Sequence, residues 1–172
     1  MNPKIIRKIQ KGNVSAFQDL YDDYADQAFR IALSIVRDRE TAKDVTQETF
    51  IRVCRSIDSF DPTKPFDPWF FRILKNESLR SLKQKEPTSL TDSFKDQKGE
   101  MDEENLMFDL VHSTLDEPYL TTFLLKYVEG FSEKEVASIT EENVSTVKNR
   151  LLKGRELLRN AYKRLKGREF HA

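Results

Sequence analysis

Residues 38–69 read DRETAKDVTQETFIRVCRSIDSFDPTKPFDPW, and the reading of this stretch decides the fold. Asp38 is placed to cap a helix, Glu40 suits its first turn, and side chains through Ile57 repeat at helical spacing. Ala42, Val45, Thr49, Val53 and Ile57, with Phe50 beside them, recur every three or four residues. They share one face and are expected to be buried. A second stripe, rotated from the first, holds Asp44, Gln47, Glu48, Ile51 and Arg55. Residue chemistry leaves two readings of it open. One is a solvated face, the usual fate of a helical charge run, with Glu48 and Arg52 paired for ~0.3–0.5 kcal/mol. The other is a docking surface, to which Ile51 amid the charges points. Cys54, next to Val53, is expected to be a small buried hydrophobe rather than a reactive thiol.

Residues 60–68, FDPTKPFDP, carry three prolines and form a stiff, non-helical loop. Asp67 is expected to cap the next helix with Pro68 at its first position. That helix opens Trp69-Phe70-Phe71-Arg72 and runs to about Gln84. A rigid loop feeding an aromatic, basic helix suits single-stranded or opening nucleic acid; the plainer reading, that the aromatics are core, is expected for two of the three.

Outward from this stretch the pattern stays helical. Residues 3–11 form a short amphipathic helix through Ile5, Ile6 and Ile9, ended by Gly12-Asn13. Ser15-x-x-Gln18 reads as a capping box for a long helix buried through Phe17, Leu20, Tyr21, Tyr24, Ala28, Ile31, Ala32 and Ile35. Residues 1–85 thus make one small all-helical domain. Residues 86–104 are polar, acidic and broken by Pro87 and Gly99, which reads as a flexible linker. Residues 105–172 make a second helical domain. Leu106, Leu110, Val111 and Leu115 line its first helix. Asp116 is placed to cap a second, lined by Tyr119, Phe123, Leu124 and Tyr127 and ended by Gly130. Ser132-x-x-Glu135 is another capping box, ahead of Val136, Ala137 and Ile139. Asn143 then caps a last helix through Val144, Val147, Leu151, Leu158, Tyr162 and Leu165. No strand pattern competes, so the fold class is all-α: two small helical domains joined by a linker.

The chain has 172 residues, 38% hydrophobic and 34% charged, with net charge zero. The charge is unevenly placed: acids dominate residues 86–117, whereas in residues 148–168 Glu156 is the only acid. Such asymmetry points to a nucleic-acid-facing end. A single cysteine rules out an internal disulfide, and with only His112 and His171 beside it no metal site of normal spacing can be assembled. There is no apolar leader and no run of eighteen apolar residues, so a cytoplasmic protein with no membrane insertion is expected.

Two helices joined by a tight turn, the second rich in Lys and Arg, follow the helix-turn-helix plan. The basic residues Lys148, Arg150, Lys153 and Arg155 fit either a solvated face or DNA contacts, and their excess over acids after a capped turn favours DNA.

Asp44-x-x-Gln47-Glu48-x-Phe50, the proline loop, and Trp69-Phe70-Phe71-Arg72-Ile73-x-x-Asn76 together resemble region 2 of the extracytoplasmic-function (ECF) sigma factors of bacterial RNA polymerase. Residues 131–150 resemble region 4 of the same family, keeping Ser132, Glu135, Ala137 and Thr146-Val147-Lys148. The resemblance covers nearly the whole chain and implies a promoter-specificity subunit with no catalytic residues, cofactor or metal of its own. It implies that Asp44, Gln47, Glu48, Ile51 and Arg55 bind core polymerase. It places Asp61, Thr63, Lys64, Trp69, Arg72, Lys75 and Asn76 at the minus-ten element. Ser145, Thr146, Lys148, Asn149, Arg150, Lys153 and Arg155 fall at the minus-thirty-five element, with Lys148 and Asn149 on base edges and Arg150 and Arg155 as phosphate clamps. The partners implied are core RNA polymerase, promoter DNA and an anti-sigma factor, without a stable homo-oligomer.

Three departures stand out. Arg80 replaces a usual acid, and Glu141 and Glu142 replace the turn glycine and the buried aliphatic after it. A glutamate in a left-handed turn is strained, which leaves a remodelled turn or a less rigid half as the expectation. Gly154, mid-helix, is expected to mark close approach to a neighbour. The rivals are a stand-alone helix-turn-helix dimer, which leaves the Asp44 face and proline loop unused, and an enzyme, for which no nucleophile–base set, phosphate loop or metal cluster is present.

Overall fold

The computed structural model describes residues 1–84 and 103–169, and every regular element among them is helical. Apart from its last two residues, which begin a helix, the expected linker lies outside the described residues, as does His171. The chain divides into two compact units.

In the first unit, α1 (Pro3–Gln10) is capped by Asn2 and α2 (Val14–Val36) by Asn13, whose side chain accepts from the Ala16 N–H at 2.8 Å. The cap therefore lies two residues upstream of the expected Ser15 box, and Gln18 bonds Asp22 instead. Arg37, in the left-handed region at φ 58°, ends α2. Asp38 then caps α3 (Arg39–Ser56), accepting from the Thr41 N–H at 2.9 Å as expected. A 3-10 turn, Ile57–Ser59, leads into the loop. Gln10 pins this turn to α1 by donating to the Ile57 and Phe60 carbonyls at 2.9 and 2.8 Å.

Helix α4 (Phe66–Gln84) begins three residues before Trp69. Asp67 and Pro68 thus lie inside the first turn, and Asp67 does not cap. Its carboxylate instead accepts from the Tyr24 hydroxyl of α2, which ties the start of α4 to the bundle.

The core of this unit is the α3 stripe read from sequence, set against Leu20, Tyr24, Ala28 and Ile31 of α2 and Phe70, Phe71 and Leu74 of α4. Thr49, wholly buried in that stripe, loses nothing to burial because its hydroxyl donates to the Val45 carbonyl at 2.7 Å. Cys54 corrects the sequence reading, for it is exposed. Neighbours on a helix are separated by about 100°, so the burial of Val53 says nothing about the residue after it.

In the second unit, α5 (Glu103–Thr114) is followed by α6 (Tyr119–Phe123), which runs into a π-helical turn, Leu124–Val128. Pro118 stands at the cap position of α6 without a side-chain bond, and Asp116 contributes only its carbonyl, to the Leu120 N–H at 3.0 Å. Both halves of the Ser132–Glu135 capping box form at the start of α7 (Glu133–Thr140). Asn143 caps α8 (Val144–Glu169), accepting from the Thr146 N–H at 2.7 Å. Tyr127, Tyr162 and Leu165, read as apolar lining, are exposed.

The turn between α7 and α8 is not remodelled. Glu141 takes the left-handed conformation at φ 60° that glycine would, and the Glu142 N–H closes the cap on the Ala137 carbonyl at 2.9 Å.

Gly154 also corrects the reading. A Cβ there would sit 3.7 Å from Phe123 Cδ2 and 3.8 Å from Leu115 Cδ1, ordinary van der Waals distances, so no close approach demands glycine. Relieving its helix penalty, Gly154→Ala is expected to stabilise the second unit by ~1 kcal/mol. Urea unfolding followed by circular dichroism checks this; a destabilised alanine variant would show that the helix does need glycine here.

Candidate docking and nucleic-acid interfaces

Side chains of the second α3 stripe reach solvent. Asp44, Gln47, Ile51 and Arg55 are exposed, Ile51 at 36%, and Glu48 is half-buried. Behind them a charge network joins α3 to α4. Arg52 reaches Glu48 at 3.2 Å and Glu77 at 2.8 Å, and Arg80 stands 3.5 Å from Glu77. Glu77 is nearly buried, a position a carboxylate holds only when paired. The arginine that departs from the family pattern is therefore answered locally by an acid one turn away.

Beside Ile51 lies a groove of about 690 Å³ between α2 and α3, lined among others by Phe17, Tyr21, Phe29, Phe50 and Cys54. Sequence reasoning had Phe17 and Tyr21 as core and passed over Phe29. The signal was present, because Phe17, Tyr21, Ala25 and Phe29 form a row at strict four-residue spacing beside the core row through Leu20, Tyr24 and Ala28. A helix with two adjacent apolar rows has more apolar face than one core requires.

The proline loop is held by its own first acid. The Asp61 carboxylate accepts from the Thr63 N–H at 2.9 Å and from the Thr63 hydroxyl at 2.8 Å, an Asx turn. The backbone hydrogen bond first, and then the hydroxyl, hold this carboxyl below the usual aspartate range. Thr63 and Lys64 are exposed at the tip. Trp69 is half-buried, its ring 4.7 Å from that of Phe60 and 5.4 Å from that of Phe66, whereas Phe70 and Phe71 are core. Along α4, Arg72 and Lys75 are half-buried and Asn76 is exposed. The loop and the α4 residues are thus brought together, with Asp61 occupied in holding the loop's shape.

In the second unit, Ser145 bonds to Asn143 at 2.5 Å and Thr146 lies in the capped first turn of α8. Lys148, Asn149, Lys153 and Arg155 are exposed. Lys148 and Lys153 have acidic neighbours, Glu133 at 3.7 Å and Glu156 at 3.0 Å, surface pairs worth little in water. Arg150 differs. It is turned inward, and its Nη2 donates to the Glu142 Oε1 at 2.5 Å. Among the described residues no cluster of side chains fits a metal ion, and no helix is long and apolar enough to cross a membrane.

Residues 20–88 match the family model for sigma-70 region 2, and residues 105–158 that for sigma-70 region 4. The ECF RNA polymerase sigma factor SigW of Bacillus subtilis is 30% identical, over 92% of this chain and 95% of that protein. The ECF RNA polymerase sigma-E factor of Haemophilus influenzae is 28% identical, over 91% of this chain and 92% of its own length. Among solved structures, CnrH in complex with the cytosolic domain of CnrY superposes with a TM-score of 0.74 at 24% identity, covering 94% of this chain and 97% of that one. The sigma factor RpoE of Bartonella quintana, solved with the anti-sigma factor NepR, gives 0.68 at 21%, covering 87% and 98%. At these identities the two structures speak to the fold alone.

The anchor at the start of α4 yields a pH test. Burial first, and then the hydrogen bond to Asp67, push the Tyr24 hydroxyl well above the usual tyrosine range. The fold thus keeps the neutral form, while the unfolded chain ionises above about pH 10. Stability tied to Tyr24 is present below that pH and lost as pH rises beyond it. Tyr24→Phe is expected to cost about 1 kcal/mol at neutral pH and to flatten the alkaline decline. Urea titrations at neutral and alkaline pH measure both; equal declines in the two proteins would contradict it.

Proposed function

The chain belongs to the extracytoplasmic-function group of sigma-70 RNA polymerase sigma factors, and from that premise we propose how its surfaces divide the work. The chain binds core RNA polymerase, brings it to particular promoters and opens the minus-ten element. The observation that carries this reading is the two-sided α3–α4 pair. One side presents the exposed stripe of Asp44, Gln47, Ile51 and Arg55, with half-buried Glu48, along an apolar groove. The loop and α4 present Thr63, Lys64, Trp69, Arg72, Lys75 and Asn76 on a frame fixed by Asp61 and Tyr24.

The stripe and groove together suit an amphipathic helix of the polymerase: the groove receives apolar side chains and the charged stripe sets register. At the loop, a base drawn from the non-template strand must recover the few kcal/mol lost on unstacking through stacking and hydrogen bonds. The second unit then takes the upstream element. The first turns of α8 enter the major groove, with Ser145 and Thr146 at its mouth, Lys148 and Asn149 on base edges, and Lys153 and Arg155 on the backbone. Polymerisation belongs to the partner enzyme, so this chain performs no catalysis and takes no cofactor. It works in the cytoplasm as a single copy, and an anti-sigma factor restrains it by covering the same docking surfaces.

Run-off transcription with purified core polymerase on a genomic promoter library tests the whole reading: discrete starts that depend on this chain are expected, and their absence refutes it. The two faces of the first unit separate by mutation. Asp44→Ala with Gln47→Ala is expected to weaken core binding at least about tenfold, at ~1.4 kcal/mol per decade, with the helical spectrum unchanged; unaltered affinity would remove the stripe from the interface. Deleting Thr63 and Lys64 is expected to spare core binding and abolish melting, so thymines that stay permanganate-reactive would count against the loop.

A further inference from the structure

Arg150 is the basic residue of α8 whose surroundings do not suit a phosphate contact. Two residues along a helix correspond to about 200° around it, so Arg150 points away from Lys148 and Leu152, both of which are exposed. Its side chain is only 18% exposed, and that of its partner Glu142 is 34% exposed. Glu142 in turn is fixed by its backbone, since its N–H closes the α7 cap on the Ala137 carbonyl at 2.9 Å. The bridge at 2.5 Å therefore runs from the interhelix turn, just after the left-handed residue Glu141 at φ 60° and tied to α7 by that cap, to a point about two turns into α8. It is a contact eight residues apart in sequence. Partial burial screens it less than the surface pairs of Lys148 and Lys153.

We propose that Glu142 and Arg150 form a strut that sets the angle of α8 to α7, which makes Arg150 a positioning residue for promoter reading rather than a phosphate contact. The inference rests on α8 being the helix that reads the upstream element. Base edges are read by hydrogen bonds that fail within a fraction of an ångström, so a loosened strut harms recognition of the preferred element more than attraction to DNA in general. A phosphate clamp behaves in the opposite way: its loss weakens every sequence alike and lowers the salt slope by about 0.9.

The test uses the full chain assembled with core polymerase and duplexes randomised over the upstream element, with binding measured at two salt concentrations. Wild type is compared with Glu142→Gln, which keeps size and shape, with Arg150→Met, and with the reversed pair Glu142→Arg plus Arg150→Glu. Each single change is expected to lower the ratio of preferred to random DNA affinity about tenfold, at unchanged salt slope, and the reversed pair to recover most of it. A lower salt slope with the preference intact in Arg150→Met would restore the phosphate role and overturn the strut. So would a fall in thermal stability with the affinity ratio unchanged, which marks a purely structural pair. A wild-type assembly with no upstream preference would instead refute the reading of α8 itself, and the strut with it.

Discussion

The first unit depends on one buried ring. Phe70 of α4 is fully buried, with Tyr24 of α2, Phe50 of α3 and its own neighbour Phe71 at ring separations of 4.9, 5.3 and 5.2 Å. It is the point where α2, α3 and α4 meet. Aromatic pairs at such separations add about 0.5–1.5 kcal/mol each beyond the area they bury. Phe66 continues the cluster to Phe60 and Trp69, at 5.5 and 5.4 Å. A single packed core therefore fixes both the outer face of α3 and the ends of the proline loop. The surfaces proposed for docking and for promoter capture therefore share a foundation.

That arrangement explains the uneven burial of polar groups. Buried polar groups inside the unit find partners on their own helix or on the helix packed against it, as with Thr49 on Val45 or Glu77 between Arg52 and Arg80. Asp44, Gln47 and Arg55 on the proposed docking face, and Thr63 and Lys64 at the loop tip, are instead exposed. Ile51, and Tyr21 at 44% exposure, break the usual rule in the same place, at the rim of one groove. A scattered exposed apolar residue means little, but two beside an apolar cleft suit the docking face proposed for it.

Much of this was legible in the sequence because it obeys local rules. The α3 stripes follow helical spacing, and Asp38, Asn143 and the Ser132–Glu135 box act over three residues. What escaped was non-local or ambiguous. Asp67 precedes a proline and looks like a cap, yet α4 starts before it and frees it for Tyr24, 43 residues away. The groove row on α2 was absorbed into the core because the two rows are adjacent. The turn glutamates looked like a defect; Glu141 accepts the left-handed geometry, and Glu142 replaces aliphatic packing with an ion pair to Arg150. No i,i+4 pattern reveals that partner.

The central claim is that the two sides of the α3–α4 pair meet different partners at once. Site-specific photocrosslinking in the assembled open complex tests it most directly, with a probe placed at Ile51 in one protein and at Lys64 in another. The account predicts that the Ile51 probe captures core polymerase and the Lys64 probe the non-template strand. Capture of DNA from Ile51, or of polymerase alone from Lys64, would contradict it.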